Sequence, residues 1–323
     1  MNPRPAASWL LFALFTCNAG ALMAQSYPSK PIRVIIATTA GGTTDTISRL
    51  AGQDLTQRLG QPLVMENRPG GNGVSATDAC ARAGADGHTL CIVSTNSMSF
   101  APHTVSKLPY DTERDIRAVV HLYNLIEGMV ANPALPANSV KELQALALVK
   151  PGSLNFGTLG AGSQPDVFRQ WLAERWKTEI VGIHYKGAQP IVQALVAGEI
   201  HFTQISLGNS AGQLRAGKIK ALAQGGGKRS RQLPDVPTFE EAGLDFHGGG
   251  WWGVIASAAV PDAIVHRINA EYARVLREPK LVDFMDNQFL EPVGGPPETF
   301  AAFIRRDRER AGEIVKRYNI PRE

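Results

Sequence analysis

Cysteine is scarce in this chain, with three residues among 323, at positions 17, 80 and 91. Cys80 and Cys91 are too few and too far apart for a zinc-type ligand set, and the seven histidines show no pairing at metal-ligand spacing. Long apolar runs are missing too. The first, Ala6 to Cys17, is shorter than the roughly 20 residues a membrane-spanning helix needs, and nothing comparable follows it. Charge of one sign is not in excess: 33 basic against 29 acidic residues leave a net charge of +4. The basic residues are scattered instead of gathered on one face with interleaved aromatics, which argues against a nucleic-acid partner. A Gly-x-Ser-x-Gly nucleophile elbow is absent. Two Gly-x-Gly-x-x-Gly/Ala spacings occur, both outside the setting of a dinucleotide site. Gly248-x-Gly250-x-x-Gly253 precedes a strand instead of opening a helix, and Gly71-x-Gly73-x-x-Ala76 lacks an acidic residue closing the next strand about twenty positions on. With no nucleophile, metal or cofactor signature, the chain reads as a binding protein and not as an enzyme.

What is present begins with a compartment signal. Arg4, the apolar stretch from Ala6 to Cys17 and the small-residue ending at Ala24 form a secretory signal peptide over residues 1–24, so the mature protein is expected in the periplasm. Leu14-Phe15-Thr16 lacks the small residue usual before a lipidated cysteine, which disfavours a lipid anchor at Cys17. In an oxidising compartment Cys80 and Cys91 either pair as a disulfide or remain two buried thiols, and both readings stay open.

About 300 mature residues exceed one comfortable hydrophobic core, so two lobes are expected. Short β-branched runs alternate with amphipathic ones, the pattern of a mainly parallel α/β architecture. Ile32–Ala37 reads as a buried strand and Asp45–Leu59 as a helix with Ile47, Leu50, Ala51, Leu55 and Leu59 on one face. The long apolar stretch Val119–Val130 leaves the first lobe. The alternation then restarts through strands at 154–159, 180–185 and 200–205. From Gly248 one more strand and three helices (262–276, 279–287, 297–317) are expected to return to the first lobe. The expected division is therefore lobe one over 25–126 and 248–323 and lobe two over 127–247. Two crossings between lobes make a hinge over a cleft.

Two segments have the composition of an anion seat. Ala37-Thr38-Thr39-Ala40-Gly41-Gly42-Thr43-Thr44-Asp45 joins the first strand to the first helix, where small residues admit a ligand to the backbone and free helix N–H groups carry partial positive charge. Asp45 is unsuited to touching an anion and is assigned to capping the helix and stiffening the loop. Gly157-Thr158-Leu159-Gly160-Ala161-Gly162-Ser163 repeats the arrangement in the second lobe, with hydroxyls and N–H groups as donors. One loop per lobe can grip the two ends of a dicarboxylate.

The chain resembles the Bug family, extracytoplasmic receptors of tripartite tricarboxylate transporters. The likeness runs from about Tyr27 onward. It is carried by Tyr27-Pro28-Ser29-Lys30-Pro31-Ile32, Gly41-Gly42-Thr43-Thr44-Asp45, Glu66-Asn67-Arg68-Pro69-Gly70, Ala85-Asp86-Gly87-His88-Thr89-Leu90 and Leu108-Pro109-Tyr110-Asp111. It continues through His184-Tyr185-Lys186-Gly187, Lys228-Arg229-Ser230, Leu233-Pro234-Asp235-Val236-Pro237-Thr238 and Glu291-Pro292-Val293-Gly294-Gly295. The resemblance implies a monomeric two-lobed periplasmic-binding-protein (Venus flytrap) fold, a carboxylate held between the lobes, and integral membrane permease subunits as partners. It places the ligand loops at Thr38–Thr43 and Gly157–Ser163 and a third turn at Tyr185-Lys186-Gly187, where Lys186 either pairs with the ligand or stands solvated at the rim.

Departures from the family bear on the ligand. Members commonly carry Pro-Phe-Pro-Pro where this chain has Ala37-Thr38-Thr39-Ala40, which makes the pocket roomier. Many relatives end the strand from Ile200 with an acid; here Ile205 is followed by Ser206, which argues against an amino-acid ligand. A dicarboxylate, aliphatic or aromatic, is expected, with Trp251 and Trp252 either lining the cleft or packing. A receptor for a sensor kinase and a periplasmic enzyme are the alternative classes.

Overall fold

The computed structural model describes residues 27–246 and 249–322. The expected signal peptide, Cys17, His247 and Gly248 lie outside the described residues.

Lobe one opens with β1 (Ile32–Ile36), a run of apolar residues interrupted only by Arg33, which suits a strand covered on both faces. Next come α1 (Thr43–Leu59), β2 (Leu63–Asn67), α2 (Val74–Ala81), β3 (Thr89–Ser94), a π-helical turn over Asn96–Phe100, the short α3 (Ala101–Thr104) and β4 (Ile116–Leu125). Lobe two comprises β5 (Glu127–Ala131), α4 (Val140–Val149), β6 (Asn155–Thr158), α5 (Gln164–Trp176), β7 (Val181–His184), α6 (Ala188–Ala197), β8 (Phe202–Ser206), α7 (Ala211–Arg215) and β9 (Lys220–Gln224). The chain then returns to lobe one through β10 (Trp251–Ser257), α8 (Asp262–Val275), α9 (Pro279–Asn287), β11 (Leu290–Gly294) and α10 (Pro297–Arg317).

The sheets run β11-β4-β10-β3-β1-β2 and β7-β6-β8-β5-β9. Following the pairings, β1 to β4 share one direction against β10 and β11, and in the second sheet only β5 is reversed. The two-lobed α/β fold expected from the alternation is therefore present, but the sheets are mixed: most strands share one direction, while five of the nine pairings are antiparallel, because β10, β11 and β5 run against their neighbours. Each sheet is covered on both faces. In lobe one Ile47, Ala51, Leu55 and Leu59 of α1 pack with α8 on one side, while Trp251, Phe300 and Ile304 fill the other. In lobe two Phe156, Phe168 and Phe202 lie on one side and Ile191, Leu195 and Ile205 on the other.

Three elements were not apparent in the sequence, the four-residue α3 among them. β11 carries Pro292, yet it is an edge strand, where a residue without an N–H is tolerated. α4 begins at Ser139, whose Oγ accepts from Glu142 N at 3.1 Å while Glu142 Oε2 accepts from Asn138 N at 2.8 Å. This is a variant of the capping box, readable as Ser-x-x-Glu.

The chain passes from sheet to sheet at Ile126 and again between Gln224 and Trp251. The two passages lie side by side, since Leu125 N donates to Gly250 O at 2.8 Å and Gly225 N to Glu127 O at 2.6 Å. The C-terminal end of α10 adds another link: Arg317 pairs with Glu174 of α5, and a β-carbon placed at Gly162 would lie 2.8 Å from Ile320 Cγ1. Cys80, in the last turn of α2, is bridged to Cys91 of β3 with Cα atoms 6.0 Å apart.

Gly253 of β10 sits beneath α10. A β-carbon there would meet the Phe300 ring edge and come within 3.0 Å of Val120 O. Gly253→Ala is expected to lower stability by about 1–3 kcal/mol through overpacking, read as a fall in the urea midpoint at unchanged slope.

Candidate functional site

The ends of β1 and β3 in one lobe, and of β6, β7 and β8 in the other, point toward the hinge, which brings both glycine-rich loops to the cleft. The loops are built alike. In the first, Gly41 has φ +82 and its N–H donates to Asp45 Oδ2 at 2.9 Å. Asp45 is fixed in turn by Arg49 Nε at 3.0 Å and Asn67 Nδ2 at 2.9 Å. In the second, Gly162 has φ +72 and donates to Asp166 Oδ2 at 3.0 Å, with Asp166 held by Arg169 Nε at 3.0 Å and Gln170 Nε2 at 2.9 Å. Each positive φ is a left-handed conformation that glycine enters without a steric penalty. Asp45 thus stiffens the loop as expected, but it does not cap α1 as expected: Gly42 is the N-cap, and Asp45, inside the first turn, accepts instead from Gly41 of the loop. The Arg49 hydrogen bond, more than any other cause, holds the Asp45 carboxyl down at about 2, so it stays ionised and locked to the loop at any physiological pH.

Neither helix is capped by a side chain: Gly42 precedes α1 and Ser163 precedes α5, each in an extended conformation, and neither makes a side-chain cap bond. The first-turn N–H groups, Pro165 of α5 excepted because it has none, therefore remain donors beside the positive ends of two helix dipoles.

The expected site residues fall at these places. Thr39, Ala40, Gly41, Gly42 and Thr43 are exposed, whereas Thr38 turns inward with Oγ1 buried and unpartnered. Gly157 lies under Ile191 and Ile200 as packing. Gly160 and Ala161 form the tip of the second loop. The hydroxyls there are engaged internally: Thr158 Oγ1 contacts His184 Nδ1, and Ser163 Oγ donates to Gly160 O at 2.6 Å while accepting from Leu159 N at 3.3 Å. They shape the loop together with four of its own amides, those of Leu159, Gly160, Gly162 and Ser163, which are bonded within it. Lys186 is exposed, and no ion pair engages it among the described residues. Gly187 has φ +143 and opens α6, and Ser206 closes β8.

Trp251 is core and not cleft: it is 1 % exposed, stands edge-on to Phe300, and donates from Nε1 to Asp307 Oδ2 at 2.7 Å. A surface concavity of about 580 Å³, bounded by Lys141, Gln144, Arg175 and Trp176, lies at the far end of α5 from the second loop. At 1.5 Å per residue, the helix separates the two by roughly 18 Å.

Sequence reasoning missed Glu127. In the β5–β8 register it stands directly opposite Ser206, at the cleft end of lobe two. It is buried, and Gln204 Nε2 donates to its Oε2 at 3.3 Å. Its place inside the apolar run Val119–Val130 concealed it.

Two lobes on a paired hinge, with a glycine-rich loop between strand and helix in each, have the architecture of a receptor of the periplasmic-binding-protein class. The sequence profile described as tripartite tricarboxylate transporter family receptor matches residues 47–320, and the chain belongs to that family. A Pseudomonas sp. (strain P51) relative, a UPF0065 protein in the tcbD-tcbE intergenic region, is 30% identical over 316 residues, covering 96% of this chain and 93% of its own. Rpa4515 of R. palustris, solved with adipate, superposes with a TM-score of 0.76 at 28% identity, covering 92% of this chain and all (100%) of the other. MatC (Rpa3494) of Rhodopseudomonas palustris, solved with bound malate, gives 0.70 at 28% identity, covering 90% and 100% respectively. No helix among the described residues is long and apolar enough to cross a membrane.

Proposed function

We propose that this receptor captures a small carboxylate in the periplasm, a dicarboxylate gripped at both ends, and delivers it to the integral membrane permease subunits of a tripartite tricarboxylate-type transporter. The observation that carries the reading is the matched pair of loops, each with a glycine N–H tied to an aspartate and an uncapped helix start behind it. Donors on opposite sides of a cleft suit a ligand charged at both ends. Charge-assisted hydrogen bonds contribute roughly 1.5–3 kcal/mol each, so four to six cover a micromolar affinity after the ordering costs of binding.

Of the loops Thr38–Thr43 and Gly157–Ser163, the exposed stretch Thr39–Thr43 and the tip Gly160–Ala161 supply the contacts while Thr38, Gly157 and Thr158 support them from below, with Lys186, Gly187 and Ser206 at the margins. Lobe one spans 25–126 and 248–323 and lobe two 127–247, so the ligand closes a hinge formed by the two passages. The adipate and malate of the solved relatives support an aliphatic acid. The burial of Trp251 removes one motive for an aromatic one. No step of catalysis enters, because binding and release alone serve delivery.

A thermal-shift screen against mono-, di- and tricarboxylates, aromatic acids, amino acids and sugars tests the reading. At a hundred times the dissociation constant a ligand stabilises by about 2.7 kcal/mol, a clear rise in melting temperature. A response confined to amino acids or sugars would defeat the carboxylate assignment.

A further inference from the structure

Glu127 is an acid in an improbable place. Taking an unpaired carboxylate out of water carries a large desolvation penalty, and such a group either finds a cation or keeps its proton. Around it, β8 presents Gln204 and Ser206, the exit of β9 Gly225, the approach to β10 Gly250, and α5 Gln164; all are uncharged. The charged groups of the neighbouring elements are already engaged. Asp166 of α5 is paired with Arg169, and Glu291 of β11, beyond Gly226, accepts from Asn124. No ion pair reaches Glu127 among the described residues. Two buried amide atoms of this cluster also lack partners: Gln204 Oε1, an acceptor, and Gln164 Nε2, a donor. Gln164 favours the ionised form of Glu127 by its position, yet its Nε2 stands outside hydrogen-bonding geometry with any acceptor. An amide's two ends are interchangeable by a half-turn. Turned over, Gln204 sets Oε1 where Nε2 now lies, 3.3 Å from Glu127 Oε2, ready to accept a proton held there.

The cluster's position makes that proton matter. Gln164 directly follows Ser163 of the second loop, and Ser206 is the register partner of Glu127. Glu127, next to the first hinge passage, is also bound to both ends of the second, through its own backbone to Gly225 and through its carboxyl to the Gly250 N–H. An ionised carboxylate here would oppose any anion seated at the start of α5.

We propose that Glu127 serves as a neutral, proton-donating group in the floor of the cleft, and that binding of an anionic ligand is coupled to uptake of a proton by it. The proposal rests on the carboxylate reading of the cleft and adds its regulation. Burial pushes the Glu127 carboxyl from 4.5 up to about 7, where the free receptor is divided between the two forms at neutral pH. An anion arriving next to it selects the protonated form. Affinity therefore falls as pH rises above about 7, approaching tenfold per pH unit, the limit for a single linked proton. Below that pH the profile flattens.

Two measurements decide the matter. In the free protein, carbon-13 NMR of carboxyl-labelled glutamate should show one resonance titrating near 7 that is absent from E127Q; titration of every glutamate near 4 overturns the proposal without any ligand. Calorimetric titration with adipate, malate and succinate from pH 5.5 to 8.5, in buffers of different ionisation enthalpy, should show uptake approaching one proton at the alkaline end. E127Q, fixed in an uncharged form, should give a flat profile. Binding by the wild type that does not change with pH sinks the linkage and leaves the carboxylate reading standing. Failure of all three acids, together with binding of an amino acid that tightens as pH rises, sinks both and makes Glu127 the counter-ion of an ammonium group.

Discussion

Thr43→Pro should weaken binding of the receptor's carboxylate by about 10- to 100-fold while leaving the melting temperature of the free protein nearly unchanged. Thr43 is the first residue of α1, a position where proline fits because the N–H it lacks has no partner within the helix. The residue before a proline must be extended, and Gly42 already is, with φ −75 and ψ 168. The first hydrogen bond of the helix, from Thr46 N to Gly42 O at 2.9 Å, needs nothing from Thr43. The substitution thus removes one exposed N–H and one hydroxyl from the seat and little else. Thr43→Ala removes the hydroxyl alone, so the difference between the two variants isolates the backbone amide. Isothermal titration with the acid found by screening provides the comparison. Equal affinity of Thr43→Pro and wild type would take the first loop out of the site.

The same features that make this variant clean made the loops legible in sequence. A glycine pair and small hydroxyl residues between an apolar strand and an amphipathic helix have few other uses. The loop-stiffening role of Asp45 was accessible because the spacing from Gly41 lies within one turn. Long-range relations were not. Nothing local announces that Glu127 faces Ser206, because register depends on how two distant strands align, and one residue of slip would send the side chain to the opposite face. The contact of Ile320 with Gly162 likewise exists only because α10 is long enough to reach the other lobe. The hydroxyls of Thr158 and Ser163 misled for a different reason: such groups bond within their own turn as readily as to a ligand, and composition does not distinguish the two. β11 was hidden by Pro292, whose tolerance depends on its being at an edge, a property of the assembled sheet.

Asp307→Ala should cost about 3–5 kcal/mol of stability, more than any loop substitution. Asp307 of α10 is 5 % exposed and accepts from Trp251 Nε1 at 2.7 Å, Ser99 Oγ at 2.6 Å and Thr95 Oγ1 at 3.0 Å, besides pairing with Arg310. It joins the last helix to the start of β10 and to the π-helical turn that follows β3. Alanine would leave an indole N–H and two hydroxyls without their acceptor in a dry interior. Hydroxyls can turn to other carbonyls, so the costs do not simply add, but the indole N–H of a side chain 1 % exposed has no such freedom. Asp307→Asn keeps one acceptor oxygen and should lose roughly half as much, which separates loss of the acceptor from loss of side-chain volume. Urea unfolding measures both, and a loss below about 1 kcal/mol for the alanine variant would mean that the network contributes little. Its effect should also extend to the ligand. Ser97 of the anchored turn lies against Gly73, within 3.3 Å of a β-carbon placed there, and Ala37 at the root of the first loop is 3.5 Å from the same point. A turn loosened at Asp307 therefore loosens the support of the loop. At a temperature where the alanine variant is still folded, its affinity should fall by less than that of Thr43→Pro, because the amide donors remain while the scaffold holding them has slackened.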